Sequence, residues 1–155
     1  GDGEAIVRCQ PLFDAAGQRT FLIGYEPTAA NVVKLGGNFL IAAMIECLGE
    51  AVALMRKSGV EPARFVEVMT ETLFAAPVYR TYGKLIVEDA YRPAGFAMPL
   101  GLKDVRSELA AAEAKRVPMP VASVVRDHFL SGLARGGEEL DWSALARVIA
   151  EDAGL

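Results

Sequence analysis

Apolar positions recur at helical spacing along most of this chain, and they are densest between Thr28 and Gly59, TAANVVKLGGNFLIAAMIECLGEAVALMRKSG. From Phe39 to Met55 nearly every residue is apolar, so a helix built from this stretch has no polar face wide enough to sit against water. Such a helix is buried in a core or in a membrane. Glu46 and Glu50 interrupt the run before it reaches the ~18 uncharged residues that a bilayer span needs, and Lys34 closes it on the other side. The pattern therefore predicts the central helix of a soluble protein, capped at its start by Thr28 and stopped at Gly59.

The remaining elements follow from the same reading. Glu4 to Ala15 reads as a helix that Pro11 should kink or end, and Arg19 to Ile23 (RTFLI) reads as a short strand between Gly17 and Gly24. One strand cannot satisfy its own ladder groups, so this one implies a sheet partner outside the segment. After Gly24 everything is helical. Pro62 opens a helix to Leu73, with Phe65, Val66, Met69 and Leu73 as its buried stripe. A shorter, tyrosine-rich helix runs from Val78 to Asp89, interrupted by Gly83, and Tyr91 to Pro99 (YRPAGFAMP) is a loop. A long helix from Leu102 to Arg116 follows, and Pro118 and Pro120 lead into another that ends at Ala134 before Gly136 and Gly137. Asp141 caps a last helix, Trp142 to Asp152, with Leu145, Val148 and Ile149 inward.

Composition narrows the function classes. The chain has 155 residues, 52% hydrophobic and 23% charged, enough for one well-buried domain and unlike a disordered segment. The net charge of -4 is spread over interspersed acidic and basic residues, with no basic stripe, which argues against nucleic acid as a partner. Cys9 and Cys47 lack metal-ligand spacing and read as reduced structural thiols of a cytoplasmic protein, Cys47 inside the buried helix. No metal site is expected. The sole histidine, His128, lies mid-helix without a partner at metal spacing and reads as structural. There is no phosphate loop, no nucleophile elbow, and no G-x-G-x-x-G after a strand.

What remains is a small polar group at the start of the central helix. Lys34 and Asn38 lie four apart on one face, around the pair Gly36 and Gly37. Each glycine costs roughly 1 kcal/mol relative to alanine in a helix, so something must come close to the backbone there, whether a ligand or a neighbouring helix. Spacing alone does not separate this pair from two ordinary solvated side chains.

The stretch ANVVKLGGNFLIAAMIECLGEA nevertheless resembles the central helix of the β-hydroxyacid dehydrogenases, which include 3-hydroxyisobutyrate dehydrogenase, tartronate semialdehyde reductase and the carboxy-terminal part of 6-phosphogluconate dehydrogenase. The Lys-x-x-x-Asn pair of that family matches Lys34 and Asn38. PLFDAAGQRTFLIG resembles the end of the family's nucleotide-binding domain, and FAMPLGLKD is similar to its F-x-x-x-L-x-x-K-D element, carrying Phe96, Lys103 and Asp104. The resemblance implies an all-α domain around one long central helix, residues 27–155, that handles substrate and dimerises. It is preceded, in residues 1–26, by a helix-plus-strand remnant of a Rossmann-type domain. It also implies that the chain is the carboxy-terminal portion of a longer NAD- or NADP-dependent enzyme, inactive alone because most of the cofactor is held elsewhere.

Carried onto these positions, the resemblance makes Lys34 the group that exchanges a proton with the substrate hydroxyl and Asn38 the group that fixes that oxygen. Lys103 would lie against the cofactor, and Asp104 would orient that lysine or cap the helix that begins there. Phe96 would line the nicotinamide side or simply pack. Trp142, Tyr79 and Tyr82 are weaker candidates for the substrate pocket. Relatives that reduce imines lack the lysine, so its presence points to a small hydroxy acid or aldehyde acid. The contrasting reading is a non-catalytic helical oligomerisation module, which has no need for Lys34, Asn38 and Lys103 to converge on one cleft. A homodimer is expected on either reading, because so apolar a central helix needs cover on every side.

Overall fold

The computed structural model describes residues 1–155, and its regular structure is helical: α1 (Gly3–Ala16), α2 (Pro27–Lys57), α3 (Pro62–Glu71), α4 (Pro77–Val87), α5 (Met98–Ala114), α6 (Pro120–Ala134), a 3₁₀ turn (Trp142–Ala144) and α7 (Leu145–Asp152). Proline punctuates the starts. Pro27, Pro62, Pro77 and Pro120 are first helical residues and Pro99 is a second one, positions where a missing N–H costs nothing and the fixed φ is already helical. Glycine punctuates the ends of α2 and α6. Gly59 (φ 73°) lets Val60 N–H reach the Met55 carbonyl at 2.9 Å, and Gly136 (φ 80°) lets Gly137 N–H reach that of Gly132 at 3.1 Å, the left-handed turn that satisfies carbonyls orphaned at a helix end.

Several sequence expectations are corrected. Thr28 is not the cap of α2: the helix already begins at Pro27, after Glu26, so Thr28 is inside its first turn. Pro11 does not end α1, which continues to Ala16. Gly83 does not interrupt α4; it is buried, and a Cβ there would come within 2.6 Å of Val66, so glycine permits the close packing of α3 on α4. Leu73 lies beyond α3 and is exposed, because the helix stops at Glu71 and its last turn no longer faces inward. Arg19 to Ile23 is not a strand: its backbone joins no ladder, and Phe21, Leu22 and Ile23 are exposed. A strand exists only as part of a sheet, and these residues have no partner strand.

The core lies under the second half of α2. Ala42, Ile45, Leu48 and Val52 pack against α5, α6 and α7 with Met98, Val105, Val125, Phe129 and Leu145. By length and hydropathy α2 is long and apolar enough to cross a bilayer, but these residues turn it into the shaft around which the other helices close. The burial is not complete on every side, as its composition had led us to expect. Leu40 and Leu54 remain 67% and 60% exposed, and Cys47, read from the sequence as buried, lies exposed between them. Partial burial and the adjacent carboxylates of Glu50 and Glu46 push the Cys47 thiol above its ordinary pKa, which disfavours the thiolate.

Between α2 and α7 the close approach is to backbone. A Cβ built on Gly49 would lie 2.9 Å from the Ala146 Cα, a backbone atom that cannot swing away. Gly49→Ala is therefore expected to destabilise the fold by about 1–3 kcal/mol through forced separation of the two helices, despite a helix-propensity gain of roughly 1 kcal/mol. Gly37→Ala, which meets nothing within 4 Å, should be neutral or slightly stabilising. Urea unfolding of the two variants side by side checks the contrast.

Candidate functional site

The first half of α2 projects beyond the core, and one turn of it carries Lys34 and Asn38 on a common face. Across from that face runs α5. Because α5 begins at Met98, four residues earlier than the sequence pattern suggests, Asp104 falls in its interior and not at its cap, which overturns the capping role. Its carboxylate is 3% exposed and points at α2. Oδ2 accepts a hydrogen bond from Lys34 Nζ and another from Asn38 Nδ2 at 2.6 Å, while Oδ1 is paired with Lys103 Nζ at 2.8 Å. Three of the sequence-derived candidates thus converge on a fourth. Burial pushes the Asp104 carboxyl upward, but the hydrogen bonds from Lys103, Lys34 and Asn38 outweigh it and hold the pKa at about 2. Asp104 is therefore a fixed anion at any physiological pH.

The two ammonium groups are placed differently from the carboxylate that holds them. Lys34 is 54% and Lys103 64% exposed, so their side chains reach the open face of the molecule. One carboxylate against two ammoniums leaves a positive charge uncompensated, a suitable landing point for an anionic ligand. Beside them Gly36 and Gly37 leave the helix backbone bare: a Cβ at either position would meet nothing within 4 Å. The glycine pair thus does not serve a neighbouring helix of this chain. Gly37 lies about one turn from Lys34 and close to its face, where a ligand can lie against the helix, while Gly36 looks to the other side.

Phe96 is bonded elsewhere. Its N–H donates to Asp141 Oδ2 at 3.0 Å, and its ring meets Trp142 edge-on, with centroids 4.9 Å apart. The Trp142 indole N–H is in turn committed to the Tyr82 hydroxyl at 2.9 Å, so these two aromatics brace the loop before α5. Tyr79 stacks on Phe74 and lines a separate apolar cavity of about 200 Å³ between α2, α3 and α4, with Met44 and Phe65. None of these contacts joins the lysine cluster.

Sequence reasoning missed one buried polar pair. Glu46, in the apolar run of α2, meets His128 of α6, Oε1 to Nδ1 at 2.6 Å, across 82 residues of chain. Burial is the main influence raising the Glu46 carboxyl, with Glu50 adding to it and His128 opposing it. The available signal was the presence of an acidic residue inside an otherwise apolar helix, which requires a partner. The histidine, read from the sequence as structural, is engaged in this pair.

A family model described as the NAD-binding domain of NADP-dependent 3-hydroxyisobutyrate dehydrogenase matches residues 28–149. An uncharacterized oxidoreductase of Bacillus subtilis (strain 168), YfjR, is 41% identical over 149 residues, which are 96% of this chain and 52% of that protein. The 2-hydroxy-3-oxopropionate reductase of Escherichia coli (strain K12) is 26% identical over 149 residues, 96% of this chain and 50% of that one. The crystal structure of a 3-hydroxyisobutyrate dehydrogenase from Salmonella typhimurium superposes with a TM-score of 0.88 at 26% identity, over 96% of this chain and 52% of that one. The chain spans about half the length of the curated relatives it matches.

Proposed function

The chain belongs to the 3-hydroxyisobutyrate dehydrogenase family, and from that premise we propose that it is the helical part of a nicotinamide-dependent oxidoreductase that interconverts a small hydroxy acid and its aldehyde acid. The observation that carries this reading is the convergence of Lys34, Asn38 and Lys103 on the buried carboxylate of Asp104. An oligomerisation module has no use for a buried anion that gathers two lysines at an open face. Catalysis does, because a group that exchanges a proton with a substrate oxygen must be held in place.

The residues present fit a nicotinamide cofactor as one wall of its site. The donor set is cationic where a carboxylate or phosphate would lie, and the bare backbone at Gly37 admits a close approach. Lys103 would hold the cofactor, with Asp104 fixing Lys103. When bound, NAD or NADP supplies or accepts the hydride. The chain's own part concerns the proton. In reduction, Lys34 Nζ as an ammonium gives a proton to the oxygen that becomes the hydroxyl; in oxidation, the neutral amine takes it back. Asn38 has its amide N–H engaged with Asp104, and its Oδ1 is left to accept a hydrogen bond from that hydroxyl. The exposed ammonium groups attract the substrate's carboxylate.

On this reading residues 1–26 belong with a nucleotide-binding domain, whose sheet would give the unpaired segment Arg19 to Ile23 its partner, and residues 27–155 form the substrate domain. The test is an assay of NADH and NADPH oxidation by the whole protein with a panel of short aldehyde acids. Turnover with at least one is expected, and none with any overturns the reading.

We also propose a homodimer. Leu40, Cys47 and Leu54 recur every seven residues along the outer side of α2, the spacing of a stripe that packs against another helix. Leu54→Glu is expected to shift the protein toward monomer in sedimentation velocity with helical circular dichroism unchanged; an unaltered sedimentation coefficient counts against the stripe as the interface.

A further inference from the structure

Asp141 does more than a cap requires. Capping the 3₁₀ turn uses only Oδ1, which accepts from Ser143 N–H at 2.9 Å and from its hydroxyl at 2.6 Å. The other oxygen reaches far back along the chain: Oδ2 accepts from the N–H groups of Gly95 and Phe96, both at 3.0 Å. The same junction is stitched by the backbone. Asp141 N–H donates to the Tyr91 carbonyl at 2.9 Å, Trp142 N–H to that of Phe96 at 2.8 Å, and Met98 N–H to that of Leu140 at 2.9 Å. The last of these matters most, because Met98 is the first residue of α5 and its N–H would otherwise be orphaned. The loop is thus fastened at both ends and in the middle, with a carboxylate that is 3% exposed at the centre.

Downstream of this fastening α5 is a rigid rod, and Asp104 lies six residues from Met98, about 9 Å along the axis. One oxygen of Asp104 must meet two donors on α2, which tolerates little slip or rotation of the rod. We infer that Asp141 is a positioning residue: by clamping the loop before α5 it sets the register of that helix, and through it the aim of Asp104 at Lys34 and Asn38. Its consequence for catalysis rests on the function proposed above; the clamp itself does not.

Two substitutions separate this role from simple stabilisation. Asp141→Asn keeps one acceptor oxygen but turns an amide N–H₂ toward either the loop N–H groups or Ser143, so one set of bonds is lost to donor facing donor. Ser143→Ala removes only the hydroxyl bond and leaves the loop clamped. Trp142, the only tryptophan among these 155 residues, touches Phe96, and the part of the fluorescence that Trp142→Phe removes reports on the junction. In the whole enzyme, Asp141→Asn is expected to lower kcat by about tenfold or more, to raise acrylamide quenching of Trp142, and to lower Tm more than Ser143→Ala does. Ser143→Ala should keep kcat within about twofold. Asp141→Glu, which retains the charge at a longer reach, should fall between them, and it carries the test should the Asn variant not fold. If both Asp141 variants lose activity only in proportion to Tm, as Ser143→Ala does, the positioning role is overturned. A wild type that turns over no aldehyde acid overturns the functional reading instead; the clamp then stands or falls on Trp142 quenching alone, and unchanged quenching in Asp141→Asn refutes it.

Discussion

Lys34→Ala is expected to lower kcat of the whole enzyme by about 10³-fold while leaving the fold intact. That factor corresponds to roughly 4 kcal/mol of barrier, the scale of losing the group that transfers the proton. The structural cost should be small. Lys34 is more than half exposed, and its truncation leaves Asp104 still held by Asn38 and Lys103. Because the effect is on the chemical step, KM for the aldehyde acid should change much less than kcat. Lys34→Arg distinguishes charge from proton transfer: a guanidinium keeps the positive charge beside Asp104 but does not give up its proton, so its activity should stay near that of the alanine variant. Activity within a few fold of wild type for Lys34→Ala would exclude the proton-transfer role.

Asp104→Asn is expected to have the second largest effect, a fall in kcat of about 10²-fold from misplacement of Lys34 and Asn38 together. Its effect on stability should be about 2 kcal/mol, the scale of a carboxyl pKa lowered from 3.8 to about 2, which the amide forfeits. The pH dependence gives an independent check. A carboxyl whose pKa falls from an ordinary 3.8 to about 2 on folding stabilises the native state above pH 3.8 and loses that contribution as the pH drops toward 2. The Tm difference between wild type and Asp104→Asn should thus be constant from neutrality to about pH 4 and shrink below it. A difference that grows on acidification would contradict the assignment of the low pKa to Asp104.

The helices were legible because their boundaries are written locally. Proline at first positions and glycine at Gly59 and Gly136 act on the residues beside them, so the end of α2, the start of α3 and both ends of α6 can be placed without knowing what they pack against. The candidate site was legible in part. Lys34 and Asn38 share a face by spacing alone, and family resemblance pointed to Lys103 and Asp104. What joins them was not readable, because the bonds from Lys34 and Asn38 to Asp104 span 70 and 66 residues and depend on how α5 is rotated against α2. The same limit explains Cys47: in a helix apolar on all sides, periodicity cannot say which side faces out. Arg19 to Ile23 has the composition of a strand, yet composition cannot provide the second strand that would make it one.

The division of α2 into a buried half and a projecting half has a mechanical consequence. Gly49, where α2 touches the backbone of α7, is 15 residues from Lys34, a distance of about 22 Å along the helix. The contact is a fulcrum and the projecting half is its lever arm: a tilt of roughly 5° at Gly49 swings the far end by about 2 Å. The packing of Ala42 and Ile45 in the core and the grip of Asp104 nearer the tip resist that swing. Bulk introduced at the fulcrum should therefore be felt as a loss of turnover at a site it never touches.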